Sequence, residues 1–355
     1  MRSTPVCFRP MAKRNAQTNA SSAVASQRAS GIKAPRAGKP SRQNVAVSQP
    51  RAFADLLTVF DLSPARFDRV LSLASECKAK PGAYGDLLKG KSVILIFEKP
   101  SLRTRVSFDV GVAKLGGNPL FYPHHDQRLG ERESLKDFAK NLDRMVDGIV
   151  ARVFSQRALE EMAEHSRVPV INALSDEHHP CQALADLMTI KERFGTLAGL
   201  RVTYVGDGNN VTHSLIQACA LAGAHITVLS PDGYGPDELI VGTAAQVAEA
   251  QGASVRVTSD IARVRDQHVV YTDAWISMHQ SGSDKKERAL RAFQVNESLI
   301  SKIGRKDSIF MHCLPAHRGE EVSAEVIDGP RSVVYDQAEN RLWAQMGVMV
   351  ELMRP

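Results

Sequence analysis

Nine short runs of β-branched and other apolar residues constrain this chain most. They are SVILIF (92–97), GIVARVF (148–154), VPVIN (168–172), RVTYVG (201–206), HITVLS (225–230), SVRVT (254–258), HVVYTD (268–273), SIFMHC (308–313) and SVVYD (332–336). Segments with helical periodicity separate most of them. Alternation of this kind predicts parallel strands joined by crossover helices. Strands buried on both faces read as continuous apolar runs, as these do. The expected fold is α/β, with two domains, each a mainly parallel sheet flanked by helices, linked by long helices. A length of 355 residues suits two domains. The series breaks near residue 185, inside one helix-like segment from Cys181 to Phe194. Residues 53–185 and 186–336 are therefore the expected domains, with a last helix over 337–353 packing back on the first.

Charge sets the N-terminal segment apart. Residues 1–54 hold ten Lys or Arg and no Asp or Glu. The net charge of +6 for the whole chain therefore leaves −4 for residues 55–355. A mildly acidic body argues against a nucleic-acid partner. Residues 1–52 are Ser-, Ala- and Arg-rich without an apolar core, which is the composition of an organelle transit peptide or a disordered arm. The stretch ASSAVASQRAS leans toward a plastid over a mitochondrion. No run reaches the roughly 18 apolar residues that span a bilayer. The five cysteines, Cys7, Cys77, Cys181, Cys219 and Cys313, are few and scattered, which does not suit a disulfide framework.

Six stretches carry side chains suited to chemistry. In FEKPSLRTRVSF (97–108), Ser101 is a good helix N-cap, followed by Arg103, Thr104 and Arg105. Cations in a helix's first turn oppose its dipole, so two arginines there point to a bound anion such as a phosphate. In HHPCQALADL (178–187), His179 and Gln182 lie three apart, able to polarise a carbonyl and hold an NH2 group. VTYVGDGNNVTHSL (202–215) has Gly206 and Gly208, but Val211 stands where a dinucleotide fingerprint needs a third glycine. These glycines also suit a tight turn presenting Asn210 to a cleft. Asp273 ends the strand HVVYTD, where it can either meet a cationic substrate or cap a turn. Arg341 lies in the last helix. In MHCLPAHRGEE (311–321), Cys313 follows His312 and precedes His317. A zinc ligand, a nucleophile and a pocket-forming thiol are all compatible with that pattern. Alternation along a strand, however, would send His312 and Cys313 to opposite faces.

Taken in order, these motifs over residues 53–353 resemble the carbamoyltransferases, and within them the ornithine branch. S-x-R-T-R and H-P-x-Q mark the superfamily; D-x-W-x-S-M and H-C-L-P mark the branch. The resemblance implies one domain for carbamoyl phosphate (53–185) and one for ornithine (186–336), assembled as a homotrimer. It implies that Ser101, Leu102, Arg103 and Thr104 cradle the phosphate, largely through backbone N–H groups. Arg152 and Arg341 add positive charge. His179 and Gln182 take the carbamoyl end. Asn210, Asp273, Ser277 and Met278 hold ornithine, and Cys313 and Leu314 sit where the substrates meet. Neither metal nor cofactor is implied, and membrane and nucleic acid are not expected partners. The sequence departs from the family at Leu102, where Thr is usual, and at His279, where Gly is usual. Putrescine or an acylated ornithine is the alternative amine. A nicotinamide-dependent dehydrogenase is the alternative class.

Overall fold

A computed structural model describes residues 55–124, 128–275 and 284–354. The first sheet holds β1 (Ser92–Phe97), β2 (Asn118–Pro123), β3 (Gly148–Arg152) and β4 (Val170–Leu174), all parallel, in the order β2-β1-β3-β4. The second holds β5 (Arg201–Val205), β6 (His225–Leu229), β7 (Val255–Thr258), β8 (Gln267–Thr272) and β9 (Gly304–His312), also parallel, in the order β7-β6-β5-β8-β9. Helices α1 (Pro64–Ala79), α2 (Leu102–Lys114), α3 (Leu135–Leu142) and α4 (Gln156–His165) belong to the first half. Helix α5 (Pro180–Phe194) connects the halves. Helices α6 (Asn210–Leu221), α7 (Glu238–Ala250), α8 (Asp284–Leu290), α9 (Glu297–Ile303) and α10 (Ala324–Ile327) belong to the second. The last helix, α11 (Val334–Met353), returns to pack on α1, α2 and α5.

Two expectations fail for identifiable reasons. SVVYD is not a strand. Only Ser332 bridges to Phe310, and α11 has begun by Val334. Val334, Gln337, Arg341, Val348 and Leu352 are buried at helical spacing, so a face needed by the core overrides local β-propensity. The strand NPLFYP, β2, was not expected. Among the described residues it is an edge strand, paired only with β1, and an edge tolerates Pro119 and Pro123 because one rank of N–H groups needs no partner.

The two halves share a core. One apolar cluster runs from Phe67 and Phe108 through Leu184 and Met346 to Tyr204 and Tyr271. Each such side chain contributes roughly 1.5–3 kcal/mol on burial. Helix α5 is buried from Pro180 to Ile190, its polar Gln182 and Asp186 included. Gly347 lets α11 approach α1 closely: a Cβ there would lie 2.7 Å from the Val70 carbonyl oxygen.

The strand orders fix where a site can form. Chain direction across the sheet reverses between β1 and β3, and again between β5 and β8. Loops leaving the carboxyl ends of such strand pairs diverge and leave a crevice. The loops after β1, β3, β5, β8 and β9 all reach one cavity of about 590 Å³.

Candidate active site

One end of the cavity is built for an anion. Ser101 caps α2, its hydroxyl accepting from the Thr104 N–H at 3.4 Å. Ser101, Arg103 and Thr104 line the wall. Leu102 does not: its side chain is 77% exposed and points away, leaving only its backbone for the role expected of it. The two first-turn arginines do not both meet an anion here, contrary to the expectation from helix polarity. Arg105 pairs with Asp109 at 3.3 Å and stacks on Phe121, so its charge is met on the surface. Arg103 alone of the two faces the cavity.

Buried cations reinforce that end. Arg152, at the end of β3, and Arg341, on α11, are both buried on the wall. Nη1 of Arg341 donates to Gln182 Oε1 at 2.7 Å, and Nη2 to Thr104 Oγ1 at 3.1 Å. Burial, with Arg341 and Arg103 alongside, holds the Arg152 guanidinium down at about 10. Burial, then Arg341 and Arg152, keeps His179 well below the usual imidazole range, so it is neutral near pH 7. The His179 backbone N–H donates to Ser214 Oγ at 2.7 Å, which fixes the start of α5.

Lys99 and Arg128 also line the cavity, and sequence reasoning missed both. The Lys99 ammonium lies 4.2 Å and the Arg128 guanidinium 3.0 Å from the Phe154 ring centroid. The Glu98 carboxylate accepts from the N–H groups of Leu129 (2.6 Å) and Phe154 (2.7 Å), tying three loops together. Lys99 lies in FEKPSLRTRVSF (97–108), beside the two arginines, so the basic composition of that stretch is a usable signal for it. Arg128 had none, because its place depends on a ring 26 positions later in the chain.

The other end is built for a cation. Asp273, just past β8, is buried. Its Oδ1 accepts from the Cys313 thiol and the Ala274 N–H, both at 2.8 Å, and its Oδ2 from Asn209 Nδ2 at 2.8 Å. Burial first, then Asp273, drives the Cys313 thiol well above its ordinary range. A thiol held protonated is a poor nucleophile, so a pocket-forming role fits best of the three open to it. Asn209, not singled out earlier, caps α6 through Oδ1 while its amide reaches Asp273. Asn210 and Leu314 line the same cavity, and Asn210 Nδ2 donates to the Ser175 carbonyl at 2.6 Å. Ser277, Met278 and His279 lie outside the described residues.

His312 and Cys313 do not face apart as strand alternation required. Strand β9 ends at His312, and donor atoms of Asp273, His312 and Cys313 lie within 4.8 Å of one another. Both His312 nitrogens are engaged, however: Nδ1 accepts from the Leu314 N–H at 2.9 Å and Nε2 faces buried Glu321 Oε1 at 3.2 Å. The ring is thus a strut behind the Cys313 turn. His317 reaches the cavity wall, with its backbone N–H donating to Glu321 Oε1 at 2.5 Å.

Gly206 and Gly208 serve packing. Gly206 has φ +133°, and a Cβ on Gly208 would lie 2.1 Å from the Pro236 nitrogen. The 235–236 backbone occupies the space above the turn, where the second glycine of a dinucleotide fingerprint would admit a pyrophosphate.

Residues 54–192 match the carbamoyl-P binding domain of the aspartate/ornithine carbamoyltransferases, and residues 198–352 match their Asp/Orn binding domain. An ornithine carbamoyltransferase of Symbiobacterium thermophilum is 48% identical over 303 residues, covering 84% of this chain and 97% of that protein. One from Pyrococcus abyssi is also 48% identical over 303 residues, covering 84% and 95%. Among solved structures, ornithine carbamoyltransferase from Pyrococcus furiosus superimposes with a TM-score of 0.81 at 47% identity, covering 85% of this chain and 97% of that one. A mitochondrial ornithine carbamoyltransferase from Coccidioides immitis gives 0.78 at 37% identity, with coverage of 85% and 97%.

Proposed function

The chain belongs to the aspartate/ornithine carbamoyltransferase family, and we propose how its cavity performs that family's reaction on ornithine. It is a transferase: the carbamoyl group of carbamoyl phosphate passes to the side-chain amine of L-ornithine, giving L-citrulline and phosphate. One observation carries the assignment of roles. A cation-rich phosphate end and the Asp273–Cys313 pair open into the same cavity.

Phosphate rests on the start of α2, with Arg103, Arg152 and Arg341 supplying charge. Neutral His179 donates to the carbamoyl oxygen, and Gln182 Oε1 accepts from the carbamoyl NH2. Ornithine's ammonium gives one proton to water, its nitrogen attacks the carbamoyl carbon, and the second N–H proton lost as the C–N bond forms leaves with the phosphate. A tetrahedral intermediate forms, the C–O bond to phosphorus breaks, and phosphate leaves with that electron pair. Fixed donors stabilise charge growing on the carbonyl and bridging oxygens. Holding both substrates removes up to roughly 7–11 kcal/mol of entropic barrier in favourable cases. Asp273 and the protonated Cys313 orient the amine and its proton. Citrulline formation places the chain in arginine biosynthesis. The purified chain with carbamoyl phosphate should form product from ornithine, and not from putrescine, N-acetylornithine or aspartate offered separately. Product from another amine alone would replace ornithine, and no product from any would end the reading.

Lys99 makes phosphate binding depend on pH. Burial, then Arg152, depresses this lysine to about 8. It is charged below that value and neutral above it, so its attraction for phosphate is lost as pH rises through 8. A phosphate monoester has a second pKa of about 6, so the ligand is already mostly a dianion by pH 7. Direct titration of carbamoyl phosphate, without ornithine, should show affinity falling between pH 7 and 9. Lys99→Met should flatten that fall; an unchanged profile would remove Lys99 from the site.

Assembly as a homotrimer is part of the same reading. Leu102, Val106 and Val110 are exposed at successive turns of α2, and Leu120 and Tyr122 are exposed on edge strand β2. An apolar stripe beside an open sheet edge favours burial against another copy. Sedimentation equilibrium should give three times the chain mass of 38.8 kDa, and Val106→Glu should shift it downward. A native monomer would count against this assembly.

The N-terminal segment is read as an organelle-targeting peptide, a plastid one by preference. Its acid-free, basic composition supports this, and the family match begins only at residue 54. Import into isolated plastids with cleavage near residue 52 would bear this out; exclusion from plastids and mitochondria would refute it.

A further inference from the structure

Asp186 sits at the centre of α5, fully buried, and touches neither end of the cavity. Its Oδ1 accepts from two side-chain amides, Gln182 Nε2 at 2.8 Å and Gln337 Nε2 at 2.7 Å. Each amide is held at its other end by a group that can only donate. Arg341 Nη1 donates to Gln182 Oε1 at 2.7 Å, and the His312 N–H donates to Gln337 Oε1 at 2.9 Å. A guanidinium and a backbone N–H have no acceptor, so both amides are oriented without ambiguity. A branched relay results. One arm runs through Gln182 and Arg341 to Thr104 at the phosphate end, and the other through Gln337 to the backbone beside Cys313.

We propose that Asp186 is a positioning residue that sets acyl-phosphate specificity, by locking Gln182 with its oxygen toward the cavity. This rests on the reading that Gln182 takes the carbamoyl NH2. That group donates two hydrogens and needs acceptors. The methyl of an acetyl phosphate offers no such donor, and the negative oxygen of a carboxyphosphate would be repelled by Oε1. Arg341 holds the oxygen end of Gln182 and Asp186 holds its NH2 end; with the second hold gone the amide is tied at one end only, a turn gives its NH2 access to the substrate, and the preference weakens. Sites built around a hydrogen bond reject analogues lacking it far more strongly than apolar pockets reject a missing methylene. An acceptor at position 186 prevents that turn by engaging Nε2.

The experiment compares binding of carbamoyl phosphate, acetyl phosphate and inorganic phosphate to the native chain, Asp186→Asn and Asp186→Leu. Asparagine keeps an acceptor oxygen, and leucine removes it. The native chain and the Asn variant should both prefer carbamoyl over acetyl phosphate. The Leu variant should lose about tenfold or more of that preference while inorganic phosphate binding stays within about threefold, since phosphate makes no demand on the amide. Preserved preference in the Leu variant would overturn the proposal, as would equal weakening of all three ligands. Should the Leu variant fail to bind phosphate at all, Asp186→Ala is read by the same ratios. A native chain that does not prefer carbamoyl phosphate, or does not turn it over, would instead overturn the underlying reading of Gln182.

Discussion

An Arg152→Met variant is expected to lose a factor of about 10²–10³ in kcat/KM for carbamoyl phosphate, roughly 2.7–4 kcal/mol of transition-state stabilisation. Arg152 is 6% exposed, and its Nε has no hydrogen-bond partner among the described residues. The charges that act on it are alike: after burial, Arg341 and Arg103 depress it. A buried cation among cations is unfavourable in the empty protein and favourable once a dianion arrives. The same substitution should therefore leave the thermal unfolding midpoint of the ligand-free protein unchanged or raise it. Activity lost with stability kept is the signature of a functional charge. A fall of less than tenfold in kcat/KM, or activity lost only together with stability, would count against this role.

Asp273→Asn should act on the opposite substrate. The carboxylate accepts from the Cys313 thiol, the Ala274 N–H and the Asn209 amide. An amide cannot accept from all three, because its NH2 must face one of those donors. Losing the charge and the geometry together should cost a factor of about 10²–10³ in kcat/KM for ornithine, roughly 2.7–4 kcal/mol of transition-state stabilisation. The dissociation constant for carbamoyl phosphate should change little. A second readout follows from Cys313. Asp273 is the largest cause after burial holding its thiol up, so removing that carboxylate makes the thiol more acidic. Alkylation by iodoacetamide at pH 8 should be faster in the variant. Equal losses for both substrates, with alkylation unchanged, would show that Asp273 merely supports the fold.

These roles trace back unevenly to the chain. Ser101 as a helix cap and Thr104 beside it were legible because capping is a local hydrogen bond. Most strand runs were legible because parallel strands buried on both faces leave continuous apolar stretches. Edge strand β2 was not, since an edge relaxes both the apolar and the proline rule. SVVYD misled because β-branched residues also fill a buried helix face. Arg105 misled because a helix-start argument counts charges without seeing Asp109 one turn on.

What the sequence determined by itself was therefore local or cumulative. It set the β–α alternation, the helix starts, the separate basic N-terminal segment, and a series of motifs specific enough together to mark the family. The tertiary structure decided which side chains converge. It brought Asp273 to Cys313 across 40 positions and Arg341 to Gln182 across 159, and turned Leu102 outward. It drew Lys99 and Arg128 onto Phe154. The physical reason is that strand order, which creates the crevice, follows from how whole apolar faces pack. No local stretch encodes that order, and the charges of this cavity acquire their meaning only once burial has removed the water between them.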